Sequence, residues 1–240
     1  MPLSSPDLQL LQIVGEQRPQ SITDVISALQ QIDALLPGDD GLKWFNRLYL
    51  TVTQQVDQRP PESGWRNPDW LLRLDVTFAQ LYFDAVEACL NAKEVPSAWQ
   101  ALIEARRRPG IDRIQFALAG MNAHVNHDLA LALLATEQQL THMPNLESPE
   151  HDDYLAVNDL LNSLMPGTLS MLATDTLGVL AQDTGKIGRL LAFWNICEAR
   201  NFAWDFADHL RILPELSRDL ALNAQDKMTG ALGRAILEMV

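Results

Sequence analysis

The segment GMNAHVNHDLALALL carries five polar side chains between two apolar stretches. On a helix, His124 and Asp128 are four residues apart and share one face, whereas Asn122 and Asn126 share another. His127 projects between these two faces. An imidazole oriented by a carboxylate is the arrangement that general acid–base catalysis uses. The spacing therefore predicts a polar site on a helix whose flanking residues are buried.

Two other interpretations of this segment stay open. His124, His127 and Asp128 are residue types that bind metal ions, but the segment lacks the HExxH pattern and no second helix offers a paired ligand motif. Alternatively, a satisfied network of buried polar side chains would fix the register of neighbouring helices without doing chemistry. Nucleophilic hydrolysis is disfavoured, because the chain contains no GxSxG segment.

Asp75 is a second carboxylate that the helical pattern places on a buried face. With about 100° per residue, it falls in the apolar arc of the helix predicted over residues 68–91 rather than on the wet side. That arc contains Leu71, Phe78, Ala79, Tyr82 and Val86. An isolated buried carboxylate is costly, so it must be paired, hydrogen-bonded or protonated. Asp75 is therefore either a site residue or a carboxylate that binds a neighbouring backbone.

Later helices add an amide and a cation to the inward-facing polar residues. Asn158 shares the inward face of its helix with Tyr154, Val157, Leu161 and Met165. Arg200 and Asn201 lie within the apolar arc of the next helix. That arc is defined by Phe193, Trp194, Cys197 and Trp204. Because a guanidinium can stack on a ring and pair with a carboxylate, Arg200 is the expected counter-charge for Asp75 or Asp128.

Apolar residues recur at helical spacing along nearly the whole chain, and strict two-residue alternation is missing, which predicts an all-α fold. Helix starts are indicated by Ser21 with Asp24, by Asp39 and Asp40, by Asn67 before Pro68, by Pro96, and by Ser148 before Pro149. The longest helix is expected over residues 111–140. A break is expected at Pro166, followed by one helix between the next glycines, a helix that starts near Lys186, and a last helix over 214–239. Residues 1–240 are thus expected to form one compact domain of about seven to nine helices around the central helix, with residues 1–20 loosely attached.

The composition limits the expected partners. The chain has 31 acidic and 18 basic residues and a net charge of -13, which disfavours nucleic acid and anionic membranes because both attract basic surfaces. The first residues lack the pattern of a secretory signal, and no apolar run reaches membrane-spanning length. Cys89 and Cys197 are isolated, so we expect reduced core cysteines in a cytoplasmic protein. A small-molecule partner is expected, and a homo-oligomer stays open.

Five sequence blocks stand in a fixed order within residues 38–212: LDVTFAQLYFDAV, PSAWQAL, QFALAGMNAHVNHDLALAL, YLAVNDLL and ARNFAWDFADHL. Together they resemble a family of largely bacterial proteins that is known only as a domain of unknown function, DUF5995. The resemblance implies a soluble all-helical fold whose signature is the Asn-Ala-His-x-Asn-His-Asp-Leu block at 122–129. It also implies that Asp75, Arg200 and Trp204 belong to family blocks. It implies no reaction.

The sequence favours an enzyme that performs acid–base chemistry on a small, largely apolar substrate, as in a cyclisation, an isomerisation or a hydrolysis. The expected catalytic residues are His124, Asp128 and Asp75, with His124 as the general acid or base. The expected substrate-binding residues are Asn122, His127, Asn158, Arg200, Asn201, Tyr82, Phe78 and Trp204. No cofactor is expected, apart from the metal-ion alternative at His124, His127 and Asp128. The other candidates are a non-catalytic helical module that binds a ligand or a protein, and a metal-dependent hydrolase.

Overall fold

The computed structural model describes residues 4–16, 18–173 and 195–238. Its helices are α1 (Ser5–Glu16), α2 (Ile22–Leu35), α3 (Gly41–Gln58), α4 (Pro68–Leu90), α5 (Ser97–Ala105), α6 (Arg113–Ala123), α7 (Leu129–Leu140), α8 (Pro149–Ala173), α9 (Ile196–Ile212) and α10 (Glu215–Glu238). A π-helical turn, His124–Asp128, joins α6 to α7, so that the three form one rod. Counted in this way, the described part of the chain contains nine helices and no strand, which confirms the all-α prediction.

The helices begin where the capping signals of the sequence place them. The Ser21 hydroxyl accepts a hydrogen bond from the amide of Asp24, and the Asp24 carboxylate accepts one from the amide of Ser21, which forms a capping box at α2. Asp40 caps α3 in a similar way. Asn67 caps α4 directly before Pro68. Each cap satisfies an amide that helical geometry leaves without a partner, so local chemistry sets these boundaries.

The rod from Arg113 to Leu140 lies in the middle of the domain, as predicted. α6 packs against α3 and α10, and α7 packs against α4 and α9. Gly120 lets α3 approach the rod closely, because a Cβ atom at this position would lie 2.3 Å from Cγ of Phe45. The polar segment is therefore enclosed by helices on several sides.

The polar segment itself is not a regular α-helix. The amide of Leu129 donates to the carbonyl of His124, five residues earlier, rather than to a carbonyl four residues earlier. Such π-helical turns are rare and occur frequently at functional sites. The uniform helix predicted over residues 111–140 is wrong at this point, because apolar spacing does not report the hydrogen-bond pattern of a single turn.

α8 is longer than the sequence predicts. The break expected at Pro166 is absent, and the helix continues to Ala173. Pro166 lies on the exposed side of α8, where water can bind the carbonyl that the missing proline N–H leaves free. The helix predicted between the following glycines, the predicted start near Lys186, and Phe193 and Trp194 lie outside the described residues.

The N-terminal helix α1 is part of the domain. Leu10 and Val14 are buried, and α1 packs against α2 and α4. Asp7 also pairs with Arg106 and Arg107, which follow α5. The expectation that residues 1–20 are loosely attached is therefore wrong for α1, because two apolar residues on one face are enough to seat a short helix.

Candidate functional site

A cavity lies beside the π-helical turn, between α3, α4, α6, α8 and α9. Its volume is about 50 Å³. Most of its wall is apolar and consists of Val52, Val56, Phe78, Met121, Val125, Val157, Leu161 and Ile196. Its polar residues are Tyr49, Thr53, Asp75, His124 and Arg200. A mostly apolar wall with a few converging polar groups is the typical composition of a ligand site.

His124 is held in one orientation in the wall of this cavity. It is fully buried, and its ring stacks on Phe78 with 3.5 Å between the ring centroids and 6° between the ring planes. The ring of Tyr49 packs against it edge-on, with centroids 4.5 Å apart. Nδ1 of His124 lies 3.0 Å from Oδ2 of Asp128. The stacking and the hydrogen bond together fix the imidazole.

Asp128 is the acceptor at which three side chains meet. Besides Nδ1 of His124, it binds Nδ1 of His127 at 2.8 Å and the indole N–H of Trp99 at 3.0 Å. Burial raises the pKa of Asp128, but the hydrogen bonds from His124 and His127 outweigh this effect and keep the pKa below its ordinary value. The carboxylate is therefore ionised and accepts the proton of Nδ1 in His124.

The second nitrogen of His124, Nε2, is buried and has no hydrogen-bond partner in the described part of the chain. Because Nδ1 carries the proton that Asp128 accepts, Nε2 of the neutral ring is an unprotonated base. Burial lowers the pKa of His124 although Asp128 opposes this effect, so the ring is neutral at pH 7. A buried acceptor without a partner is unfavourable, and in a native protein it calls for an explanation such as a catalytic role.

Asp75 lines the same cavity and makes no hydrogen bond or ion pair with any described residue. The residue is half-buried, and the loss of water around its carboxyl group raises its pKa to about 7, with Arg200 lowering the pKa and Asp57 raising it. An ordinary aspartate titrates near pH 4, so Asp75 exchanges its proton in the neutral range. The sequence placed Asp75 on the inward face of α4, and no contact among the described residues supports the alternative that it caps a neighbouring backbone.

Arg200 brings a positive charge to the cavity. Its Nε donates to Oδ1 of Asn158 at 2.6 Å, and its guanidinium lies 4.2 Å from the ring centroid of Tyr154. The Tyr154 hydroxyl donates to the carbonyl of Arg200. Arg200 does not form the predicted ion pair with Asp75 or Asp128, because neutral groups on α8 hold its side chain. The charge is therefore available to a ligand.

The model of a family of unknown function, DUF5995, matches residues 22–239, a range that contains every residue lining the cavity. The chain belongs to the DUF5995 family. No curated protein and no solved structure matches it. Among the helices that the structure describes, none is both long and apolar enough to cross a membrane. The chemistry of this DUF5995 site therefore has to be inferred from its own geometry.

Four of the predicted site residues line the cavity of this DUF5995 protein: Asp75, Phe78, His124 and Arg200. Two more predicted residues do not line the cavity but bind residues that do. Asp128 binds His124, and Asn158 binds Arg200. Asn201 lies one step further away, because it accepts a hydrogen bond from the amide of Asn158. The structure thus brings together most of the residues that the helical pattern placed on inward faces.

The remaining predicted site residues make contacts away from the cavity. Asn122 donates to a carbonyl of α10. Tyr82 packs between rings of α3 and α5, and its hydroxyl donates to a side-chain amide oxygen of α3. Trp204 packs against rings of α4 and α8, and His127 faces the opposite side of the rod. Their predicted role in substrate binding has no geometric support at this cavity, because periodicity gives the direction of a side chain and not its neighbour.

Among the residues of the site that were not predicted, two contact the histidine–aspartate pair. Tyr49 borders the cavity and His124, and burial raises the pKa of its hydroxyl well above the ordinary value, so the hydroxyl stays protonated. Trp99 donates to Asp128. A signal for Trp99 was present in the PSAWQAL block, since a buried indole N–H needs an acceptor. Tyr49 gave no comparable signal, because its helix carries several other aromatic residues.

The metal-ion alternative does not fit this geometry. His124 and His127 both turn Nδ1 toward Asp128, so they occupy its two carboxylate oxygens. His124 lines the cavity, whereas Nε2 of His127 lies beside Asp226 on another side of the rod. Within residues 4–16, 18–173 and 195–238, no group of three or more His, Cys, Asp or Glu residues is arranged to hold a metal ion. The set His124, His127 and Asp128 therefore does not converge on one ion.

Proposed function

We propose that this protein is a small-molecule enzyme in which His124 acts as the general base and acid. The observation that carries the proposal is Nε2 of His124, a buried, unprotonated nitrogen without a described protein partner, on a residue that lines a cavity. Asp128 and Phe78 fix the ring that bears it. A base at a cavity, oriented by a carboxylate, meets the geometric requirement for proton transfer. A purely structural buried histidine would be expected to bond through both nitrogens.

Asp75 and Arg200 supply the other two roles. Asp75 has a pKa of about 7, so it can give a proton to the substrate or take one back near neutral pH. Arg200 binds a substrate oxygen and stabilises the negative charge that forms when His124 removes a proton. One proton taken by His124 and one returned by Asp75 leave the substrate composition unchanged, as an isomerisation or a cyclisation requires. Water as a second reactant would give a hydrolysis.

The cavity restricts the size of the substrate. A water molecule needs about 10–15 Å³ of such space, so the cavity of about 50 Å³ has room for roughly four waters. A ligand that displaces these waters has on the order of four or five non-hydrogen atoms. It needs an oxygen for Arg200 and an apolar body for the aliphatic wall. Compact carbonyl compounds fit this description, and the proton next to their carbonyl group is acidic enough for a histidine base.

The charge and the cysteines support a cytoplasmic location and a small-molecule partner. Cys89 and Cys197 are both free thiols, as expected in a reducing compartment. The net charge of -13 disfavours nucleic acid and anionic membranes as partners. Both inferences concern the location and the partners of the protein, and neither bears on the reaction.

Proton abstraction can be measured without knowing the complete reaction, because a base that removes a proton in D₂O replaces it with deuterium. We expect the wild-type protein to accelerate deuterium incorporation, followed by NMR, into at least one compact ketone, aldehyde or 2-oxo acid. His124→Gln removes the base while keeping an amide that can donate to Asp128. The exchange rate should fall by about 100-fold or more, whereas the free energy of unfolding should change by less than about 2 kcal/mol.

His142→Gln is the matched control, because His142 borders a different pocket and contacts Glu150. Its exchange rate should equal that of the wild type. Undiminished exchange in His124→Gln would contradict the proposal. If the wild type exchanges none of these compounds and His124→Gln loses several kcal/mol of stability, the network around Asp128 is structural.

A non-catalytic ligand-binding module is the second candidate. The observation in its favour is that Arg200 is held by neutral partners on α8, so its charge can bind an anion without any proton transfer. Saturable binding of a compact carboxylate by the wild type, lost in Arg200→Gln and without deuterium exchange, would support this candidate over the enzyme.

A further inference from the structure

His127 binds the same carboxylate as His124. Oδ2 of Asp128 lies 3.0 Å from Nδ1 of His124, and Oδ1 lies 2.8 Å from Nδ1 of His127. All three residues belong to the π-helical turn, so one short stretch of backbone fixes both distances. Two imidazoles therefore share one negative charge.

The two imidazoles face different environments. His124 has no exposed surface, whereas the side chain of His127 is 12 % exposed. His127 borders an open cleft between α10 and the start of α5, and its Nε2 lies 3.5 Å from Oδ1 of Asp226. The amides of Ser97 and Ala98 hold the Asp226 carboxylate in place at 3.0 and 2.9 Å. His127 thus touches bulk solvent directly, whereas His124 does not.

We propose that His127 sets how readily His124 takes up a proton, so that a residue on the open cleft controls the base in the buried cavity. The proposal rests on the proposed function of His124 and on the geometry of the shared carboxylate. One carboxylate compensates one positive charge. While His127 is an imidazolium, Asp128 is already paired and His124 stays neutral. Once His127 is neutral, Asp128 can stabilise an imidazolium at His124 instead.

The charges that face His127 favour its protonated form. It contacts Asp128 and lies close to Asp226, and Glu94 and Asp219 line the same cleft. Burial lowers the pKa of His127, but the hydrogen bond and charge of Asp128, together with the charge of Asp226, raise it above the ordinary value. Of the two imidazoles, His127 is therefore the one that keeps its positive charge to the higher pH.

The groups that face His124 favour its neutral form. Asp128 is its only contacting carboxylate among the described residues. Tyr49 and Tyr82 pack against its ring with protonated hydroxyls, and the cavity adds the positive charge of Arg200 beside Asp75. Asp128 is therefore the group that most directly stabilises a proton on the His124 ring.

The shared carboxylate also balances charge during the reaction. When Nε2 of His124 takes a proton from the substrate, His124 becomes an imidazolium. His127 then releases its Nε2 proton to Asp226 or to water in the cleft. One carboxylate and one imidazolium are present before and after this step, and both Nδ1–H groups stay bonded to Asp128. The negative charge left on the substrate pairs with Arg200.

The test measures the pKa of each histidine in the ligand-free protein, by ¹⁵N NMR of the imidazole nitrogens during a pH titration. In the wild type, we expect His127 to keep its charge to a higher pH than His124. His127→Asn replaces the imidazolium with an uncharged amide donor for Asp128. The pKa of His124 should then rise by about one pH unit or more, a tenfold gain in proton affinity.

Asp226→Asn provides a milder second variant, because the asparagine oxygen still accepts from the Ser97 amide while its negative charge is gone. His127 should lose its proton at lower pH, and the pKa of His124 should rise by a smaller amount. His142→Asn should leave both values unchanged. A His124 that titrates as in the wild type in His127→Asn overturns the proposal, and if that variant does not fold, the same result in Asp226→Asn does.

This titration needs no substrate, so it separates the two proposals. If the pKa values are independent but deuterium exchange still depends on His124, the coupling is wrong and the proposed function stands. If the pKa values are coupled but no compound takes up deuterium, the control of His124 by His127 stands and the proposed function fails.

Discussion

Two buried charge clusters in this protein are built in opposite ways. Beside the start of α3, the Arg106 guanidinium binds both oxygens of Asp40 and also reaches Asp7. Burial opposes the charged forms, but the hydrogen bonds that Arg106 donates to Asp40 raise the pKa of Arg106, and the hydrogen bonds that Ser4 and Arg107 donate to Asp7 lower the pKa of Asp7. Every charge in this first cluster has a direct partner, so the cluster joins α1 and α3 to the end of α5.

The cavity cluster keeps its polar groups apart. Asp75, His124 and Arg200 line one cavity without an ion pair or hydrogen bond among them. Asp128 binds His124 and Asn158 binds Arg200, both from outside the cavity. Asp75 has no partner in the described part of the chain. Charges that hold helices together pair with each other, whereas these three residues border a shared space without pairing. Burial of a charge alone therefore does not mark a site, but titratable groups that line one cavity without pairing do.

The largest expected effect comes from breaking the paired cluster. Asp40→Asn keeps an N-cap for α3, since asparagine caps helices as well as aspartate, but removes the negative charge from Arg106, whose side chain is only 11 % exposed. The free energy of unfolding, measured in urea, should fall by about 3 kcal/mol. A loss below about 1 kcal/mol would mean that Asp7 alone satisfies Arg106 and that the pairing is redundant.

At the cavity, Asp75→Asn should raise the free energy of unfolding, in contrast to Asp40→Asn. The pKa of Asp75 is about 7 in the folded chain against 3.8 as the ordinary value, so the folded state binds more protons between these two values. Stability therefore falls as the pH rises from about 4 to 7. Asparagine does not titrate, so its free energy of unfolding does not fall in this way. The stability advantage of the variant over the wild type should therefore grow by about 2–3 kcal/mol from pH 5 to pH 8. Urea unfolding at both pH values measures this gain.

The outcome of that experiment distinguishes the two clusters directly. A gain that is equal at pH 5 and pH 8 would show that Asp75 is not an unpaired titrating carboxyl. A pH-dependent loss would show that it behaves like Asp7, whose lowered pKa stabilises the fold at neutral pH and loses that contribution as the pH falls below about 4.

The smallest effect is expected at an exposed pair. Arg66 and Asp152 approach to 2.5 Å, but their side chains are 63 % and 49 % exposed. Solvent screens such a pair, so Arg66→Ala should change the free energy of unfolding by less than about 0.5 kcal/mol, and added salt should reduce the effect further. A loss as large as that of Asp40→Asn would show that pairing, rather than burial and pairing together, stabilises this fold.

The sequence predicted the cavity residues best where a polar side chain interrupts an apolar arc. Asp75, His124 and Arg200 each do this, and a buried polar group needs a reason. Asn122 and His127 interrupt the rod in the same manner, yet their neighbours belong to α10. Periodicity along one helix cannot tell which other helix lies on each side of it, so the geometry does not support the prediction that these two residues line the same cavity.

Helix boundaries could be predicted where a side chain forms a local bond, as at Ser21, Asp40 and Asn67. Two features of the helices could not. Pro166 stays within α8 because its exposed side is open to water, and solvent exposure depends on the assembled fold. The π-helical turn at His124 could not be predicted because the spacing of apolar residues does not report the hydrogen-bond pattern of a single turn.

That turn has a consequence for the history of this chain. Regular α-helical winding advances about 100° per residue, so one residue added to such a helix would turn the faces of α7 away from α4 and α9. The π-helical turn takes up one extra residue within its wider i→i+5 bond instead, so both halves of the rod keep their contacts. A relative that lacks one residue between His124 and Asp128 could therefore seat both halves as a regular α-helix. It would lose the spacing that brings both imidazoles to Asp128, so a one-residue alignment gap at this point would mark relatives without this pair.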